Sequence, residues 1–287
     1  MNVAKLSSSA VIVHLNISCW TGKRQDKKVS QEIDITKGTS VRAGTYSKDI
    51  MANNPELIAI GKYAAGVRNW FVNATLPWDR NGAGLATTQQ LFAMQPYLVK
   101  ANQEFNLLVD DFCAVYSTAV QAAQFKLGDL FDADEYPDVS TIKEKFSFSY
   151  VFSPVPEAGD FRVDIGNEGL AELQKQYEVS AERRLADAMQ VNWDRLYKAL
   201  STLSRQLHVD KSTGDKGKLY DSTLDAALEL CDMLSGFNLT GDAELELARK
   251  QLQQTLQGVD LKELRKDDVV RGHIKEEIDA IIGKFNW

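Results

Sequence analysis

From Leu98 to Ala122 apolar residues recur in alternating steps of three and four, at Leu98, Ala101, Phe105, Leu108, Phe112, Val115, Ala119 and Ala122. A second stripe runs from Leu170 to Leu207 through Leu173, Tyr177, Ala181, Leu185, Met189, Trp193, Leu196, Leu200 and Leu203. The spacing predicts two amphipathic helices about 30 and 40 residues long, or about 45 and 60 Å at the α-helical rise. Both exceed the usual three or four turns and need long cover for their apolar faces. The first stripe repeats near 3.5 residues, as a coiled coil does, and the second near 3.7, so the two cannot supercoil uniformly along their whole length. The first stripe is therefore expected to be mostly intramolecular core, with Phe105 and Phe112 packed on the second long helix or on a sheet.

Punctuation divides the rest of the chain. Val11 to Cys19 alternates over a β-branched run, which predicts a strand. Thr21 to Ile35 is charged and predicts a short helix or a solvated loop. Asn54 and Pro55 are a cap and a first-turn residue for a helix running to Ala74. Leu76 to Gly82 breaks it. Because proline kinks a helix from within, the first long helix is expected to begin at Pro96, after a separate turn over Thr88 to Gln95, and to end near Gly128. Phe146, Phe148, Tyr150 and Phe152 alternate with small residues, and Phe161 to Ile165 alternates again beyond a Pro- and Gly-containing turn, which predicts a hairpin. With the first strand this makes an antiparallel sheet of about three strands. Three shorter helices, near 220 to 235, 242 to 257 and 268 to 283, follow a loop at Lys211 to Lys218, with Asp221, Asp242 and Asp268 near their starts. The expected class is α+β and mostly α-helical, with two long antiparallel helices, shorter C-terminal helices and the small sheet. The expected division is 1–210 as long helices plus sheet and 211–287 as a C-terminal helical subdomain.

The formal net charge of −7 argues against a surface that is basic overall, the usual footprint of a duplex-DNA binder. Cys19, Cys113 and Cys231 form no CxxC pair and read as reduced, buried thiols. No run of about 18 apolar residues is present to span a membrane. The apolar patch at Ala10 to Val13 is interrupted by His14, Asn16 and Ser18, as in a strand and unlike a signal peptide. A cytoplasmic location is expected.

No motif in the chain carries recognisable catalysis. His14, His208 and His273 have no zinc-ligand spacing. Asp129, Asp132, Asp134, Glu135 and Asp138 lack the glycine and terminal glutamate of a calcium loop and read as a solvated acidic loop. Asp110 and Asp111 are adjacent on a helix and point apart. Gly214-Asp215-Lys216-Gly217-Lys218 lacks the phosphate-loop spacing and follows a helix, and no GxSxG occurs. No catalytic residue, metal site or cofactor is expected, and an enzyme is the less favoured class. Two surface candidates stand out. Trp20 beside Lys23, Arg24, Lys27 and Lys28 suits a single-stranded nucleic acid, with a buried Trp before a solvated turn as the plainer reading. Trp78, Asp79 and Arg80 form a loop that suits a partner anchor, with a Trp folded back onto a helix junction as the alternative.

Leu15-Asn16-Ile17-Ser18-Cys19-Trp20-Thr21-Gly22-Lys23, Leu76-Pro77-Trp78-Asp79 and Val155-Pro156-Glu157-Ala158-Gly159-Asp160-Phe161-Arg162-Val163 together resemble an uncharacterised protein family of phages and integrative mobile elements. The resemblance spans most of residues 10 to 210. It implies genes near a MoxR-type AAA+ ATPase and a von Willebrand factor A protein, sometimes near phage-type recombination genes, and it carries no known active site. The expectation is a non-enzymatic protein of a phage or mobile element in a bacterial host cell. It would act by protein–protein contact or self-association, with an AAA+ ATPase or a host defence factor as partner. The alternative is a single-stranded nucleic-acid binder in recombination, using Lys23, Arg24, Lys27 and Lys28.

Overall fold

The computed structural model describes residues 3–157, 166–210, 212–285 and 287. In chain order the elements are α1 (Val3–Ser9), β1 (Ala10–Ser18), β2 (Lys23–Asp26), α2 (Lys27–Lys37), β3 (Tyr46–Asp49), α3 (Pro55–Ala74), β4 (Leu76–Pro77), β5 (Gly84–Thr87), α4 (Thr88–Leu127), α5 (Val139–Lys143), β6 (Ser147–Pro154), α6 (Gly166–Leu207), α7 (Asp221–Phe237), α8 (Ala243–Leu256), α9 (Leu261–Lys266) and α10 (Asp268–Lys284). The fold is α+β and mostly helical, as the periodicity predicts. One sheet has the order β4-β5-β1-β6 and a second pairs β2 with β3. The expected second strand of the hairpin, Phe161 to Ile165, lies outside the described residues.

Contacts divide the chain into two compact units, each built from separated stretches. The first holds Met1–Val13, Ala74–Phe92 and Phe152–Trp287, and the second holds His14–Asn73 and Ala93–Val151.

In the first unit α6 is the central element. Its stripe of Ala181, Leu185, Ala188, Met189, Leu196, Leu200, Leu203 and Leu207 is buried with Leu224, Ala227, Cys231, Leu234 and Phe237 of α7, Leu245, Ala248, Leu252 and Leu256 of α8, and Ile274, Ile278 and Ile281 of α10. The last carbonyls of a helix have no partner within it. Here Arg271 of α10, 2% exposed, supplies donors: its Nε gives a 3.0 Å bond to the Leu207 carbonyl, and its guanidinium also reaches the carbonyls of Gln206 and Gly217. Gly217 lies against the same helix end, where a Cβ would stand 2.5 Å from the Gln206 carbonyl oxygen. The C-terminal caps partly differ from the sequence reading. Asp242 does cap α8, accepting from the amides of Glu244 and Leu245. Asp267, one residue before the expected Asp268, caps α10. Asp221 is bonded to Arg265 and caps nothing.

β1 finds a partner in this unit that the sequence reading missed. Ala10 to Val13 pair antiparallel with Thr87 to Gly84 of β5, and β5 pairs in turn with β4. Strands this short carry no measurable alternation.

The second unit packs α3 and α4 around aromatic rings. Leu57, Ile60, Ala64 and Val67 of α3 share a core with Ala101, Phe105, Val109, Phe112 and Tyr116 of α4. Phe105 lies 5.7 Å from Phe148, and Phe112 lies 5.9 Å from Phe146, centroid to centroid, so the sheet strand and its approach are what cover them. The buried positions of α4, from Met94 through Phe105, Val109, Phe112 and Tyr116 to Ala123, fall at about 3.6 residues per turn, the period of an ordinary α-helix. The coiled-coil reading fails here because Leu108, Val115 and Ala122 are not among the buried residues. α4 also starts eight residues before Pro96. Its first turn is fixed by reciprocal bonds, the Thr87 hydroxyl accepting from the Gln90 amide and the Gln90 side-chain oxygen accepting from the Thr87 amide. Pro96 removes the donor to the carbonyl of Phe92, a residue 81% exposed, where water can replace the bond.

The β2–β3 ribbon is held by Lys48, whose side chain is 6% exposed. Its ammonium lies 2.9 Å from Glu135 and 3.3 Å from Asp26, and it donates to the Leu130 carbonyl at 2.7 Å. Burial alone would lower the Lys48 pKa, but its bonds to Glu135 and Asp26 outweigh burial and hold it above the ordinary value.

Two outcomes follow for stability. Gly217→Ala drives a methyl into backbone carbonyls and is expected to lower the thermal midpoint by several degrees, from a cost of about 1–3 kcal/mol. Lys48→Met leaves two carboxylates and a carbonyl without their shared cation and is expected to cost about 2–3 kcal/mol in urea denaturation.

Candidate functional site

The Trp78 loop is the turn of the β4–β5 hairpin. The Trp78 amide donates to the Ala83 carbonyl at 2.9 Å, and Asp79 Oδ1 accepts from the amides of Asn81 and Ala83, both at 2.9 Å. Gly82 sits at φ 88°, a left-handed conformation that glycine takes without strain. Asp79 is thus committed to holding the turn. Trp78 is 5% exposed and belongs to the core of the first unit, with the Arg184 guanidinium 5.8 Å from its ring centroid. Arg80 is exposed beside it.

Facing the loop are Ser180, Arg183, Arg184 and Asp187, whose spacing of 3, 1 and 3 puts them on one face of α6. Loop and helix face enclose a cleft of 520 Å³ lined by Pro77, Trp78, Asp79, Arg80, Asn81 and those four residues. Among the described residues, Arg80, Arg183 and Arg184 have no carboxylate within ion-pairing distance. Three planar guanidiniums with free donors around one depression form a site for carboxylate or phosphate oxygens. Sequence reasoning named Trp78, Asp79 and Arg80 but missed Arg183 and Arg184. Their spacing on the polar side of the second stripe is readable, but the loop they meet is about a hundred residues away and cannot be placed from sequence.

The second candidate lies in the other unit. Trp20 is half-buried, with ring centroids 6.2 Å from Phe112 and 6.3 Å from Tyr116. Lys23 and Arg24 stand on β2, opposite Asp49 and Lys48, and Lys27 and Lys28 open α2. All four cations are exposed. The structure therefore gathers the charges on adjoining elements and places the Trp20 ring against the core.

The remaining signals have structural duties. In the acidic loop Glu135 pairs with Lys48, while Asp132 and Asp138 cap short helical turns. Asp110 pairs with Lys143 at 2.7 Å. In the loop after α6, Asp210 accepts from the Ser212 amide at 2.7 Å and Lys216 pairs with Asp268; Lys211 lies outside the described residues. Among the described residues no cluster of three metal-ligating side chains occurs, and no helix is long and apolar enough to cross a membrane. The three cysteines are free; burial raises all three thiols, that of Cys231 to about 11, against the depressed values of reactive cysteines. No protein family, curated protein or solved structure matches the chain.

The two kinds of residue in the cleft should separate on mutation. Trp78→Ala removes a buried ring and is expected to cost about 3 kcal/mol or more of stability. Arg80→Ala and Arg183→Ala, at exposed positions, should stay within about 0.5 kcal/mol of the parent protein in the same denaturation experiment.

Proposed function

We propose that this is a non-enzymatic accessory protein of a phage or mobile element that works by binding another protein through the cleft between the Trp78 loop and α6. The observation that carries the reading is the set of three guanidiniums, Arg80, Arg183 and Arg184, without a carboxylate partner among the described residues, in a chain of net charge −7. An acidic chain has ample means to neutralise an arginine cluster internally, and among the described residues this one stays open, on a turn buttressed by Asp79 and on a helix. The resemblance to the phage and mobile-element family makes an AAA+ ATPase the first partner to try, followed by a host defence factor, in the cytoplasm of the bacterial host. A second reading, a single-stranded nucleic-acid binder, rests on the exposure of Lys23, Arg24, Lys27 and Lys28 within six residues.

Co-purification of the tagged full chain with a MoxR-type AAA+ ATPase, the partner class that the resemblance implies, tests the first reading. The parent protein is expected to retain the partner, and the triple variant Arg80→Glu/Arg183→Glu/Arg184→Glu, folded by circular dichroism, to lose it. Retention by the folded triple variant overturns the reading. Salt-dependent binding of a labelled oligonucleotide that disappears on reversing Lys23, Arg24, Lys27 and Lys28 would favour the second reading instead.

A further inference from the structure

The cleft at the Trp78 loop continues along α6. A second depression, of 380 Å³, is lined by Glu172, Lys175, Gln176, Val179, Ser180 and Arg183, and it shares Ser180 and Arg183 with the first. The shared residues make the two depressions one groove along a single face of the helix. From Glu172 to Asp187 it runs fifteen residues, about 22 Å at the α-helical rise. An extended peptide rises about 3.3 Å per residue, so about six or seven residues fill that length.

Charge and shape along the groove select among occupants. Lys175, Arg183, Arg184 and Arg80 set four cations along its length against the carboxylates of Glu172, Asp79 and Asp187, of which Glu172 accepts a 2.9 Å bond from Gln176 Nε2 and Asp79 is held by the amides of its turn, so the described lining carries a surplus of one positive charge. Between the cations stands Val179, 61% exposed, an apolar contact point. Among the described residues that line it, the aromatic one, Trp78, is buried, so these residues offer no free ring on which a base could stack. Single-stranded nucleic acid relies on such platforms, whereas an acidic peptide with intervening apolar side chains needs only cations and an apolar step.

We propose that the groove along α6 from Glu172 to Asp187, flanked by Arg80 of the hairpin turn, binds an extended acidic segment of a partner protein, about six or seven residues long. This deepens the reading above and rests on it for the site. Glutamate or aspartate side chains at alternating positions meet Lys175 and the arginines, and an apolar residue between them covers Val179. Because these cations are exposed, the interaction weakens as salt rises.

Fluorescence anisotropy on the full chain provides the test. The probes are a labelled eight-residue peptide alternating glutamate and valine, its glutamine counterpart, a four-residue version and an eight-nucleotide oligothymidine. The acidic octapeptide is expected to bind at least about tenfold more tightly than the tetrapeptide or the glutamine peptide, equivalent to about 1.4 kcal/mol. Arg183→Glu and, separately, Val179→Asp should each weaken it several-fold with unchanged circular dichroism. Equal binding of four- and eight-residue peptides overturns the continuous groove. Tighter binding of oligothymidine, lost in Arg183→Glu, overturns the peptide in favour of nucleic acid. A concentration-dependent dimer in sedimentation that Arg183→Glu abolishes overturns it in favour of a second copy. If no peptide binds while the triple arginine variant still loses its partner, the groove proposal fails and the proposed function stands. If the octapeptide binds as expected while partner capture ignores the arginines, the groove stands and the proposed function fails.

Discussion

A helix of 42 residues cannot bury its own apolar stripe, and most of the first unit exists to do that for α6. The three long C-terminal helices each contribute an apolar face to the stretch from Ala181 to Leu207. Details of the unit then follow from where α6 ends. Arg271 and Gly217 gather at its last turn because exposed carbonyls there must be satisfied by something other than the helix. On its polar side Val179, Arg183 and Arg184 are exposed, the two arginines beside the hairpin turn, while Ala181, Leu185 and Ala188 of the same turns are buried. The groove thus lies on the polar side of the same helix whose opposite, apolar side makes the core.

The arginines of this unit fall into two classes. Arg249 is buried and doubly bonded to Glu246, with 2.8 Å from Nε to one carboxylate oxygen and 2.8 Å from a terminal nitrogen to the other. That pairing, led by the Arg249 hydrogen bonds, pulls the Glu246 carboxyl down to about 2. Arg271 spends its donors on carbonyls, and Arg195 reaches the Thr75 carbonyl at 2.9 Å. These side chains fasten helices together. Arg80, Arg183 and Arg184 fasten nothing among the described residues except through the approach of Arg184 to Trp78. Their difference from the buried set marks the cleft.

Long periodic elements were legible in the sequence and short ones were not. α3 runs from Pro55 to Ala74 as its cap and spacing indicate, and α6, α7, α8 and α10 lie within a few residues of expectation. α4 starts before Pro96, against the expectation from proline, because the Thr87–Gln90 bonds fix its first turn and the solvent-facing Phe92 carbonyl tolerates the lost bond. The β2–β3 ribbon and the β4–β5 hairpin were missed because two to four residues hold too little pattern, and their register depends on Lys48 and on the Asp79 turn. Half of the cleft was readable as an unusual loop, and the other half is a helix face made significant by tertiary placement alone.

β1, α4 and β6 each begin in one compact unit and end in the other, and a fourth crossing falls at the end of α3. Ribosomal synthesis therefore delivers the units in a fixed sequence. By Val151 every residue of the second unit has been made, while the first has only two short fragments and lacks α6 and everything that covers it. Those early fragments, with the Trp78 hairpin among them, must wait through much of translation for their core to arrive. Stalling or truncation after β6 would release a chain with one complete apolar interior and the exposed beginnings of another, a species suited to aggregation or to capture by a chaperone.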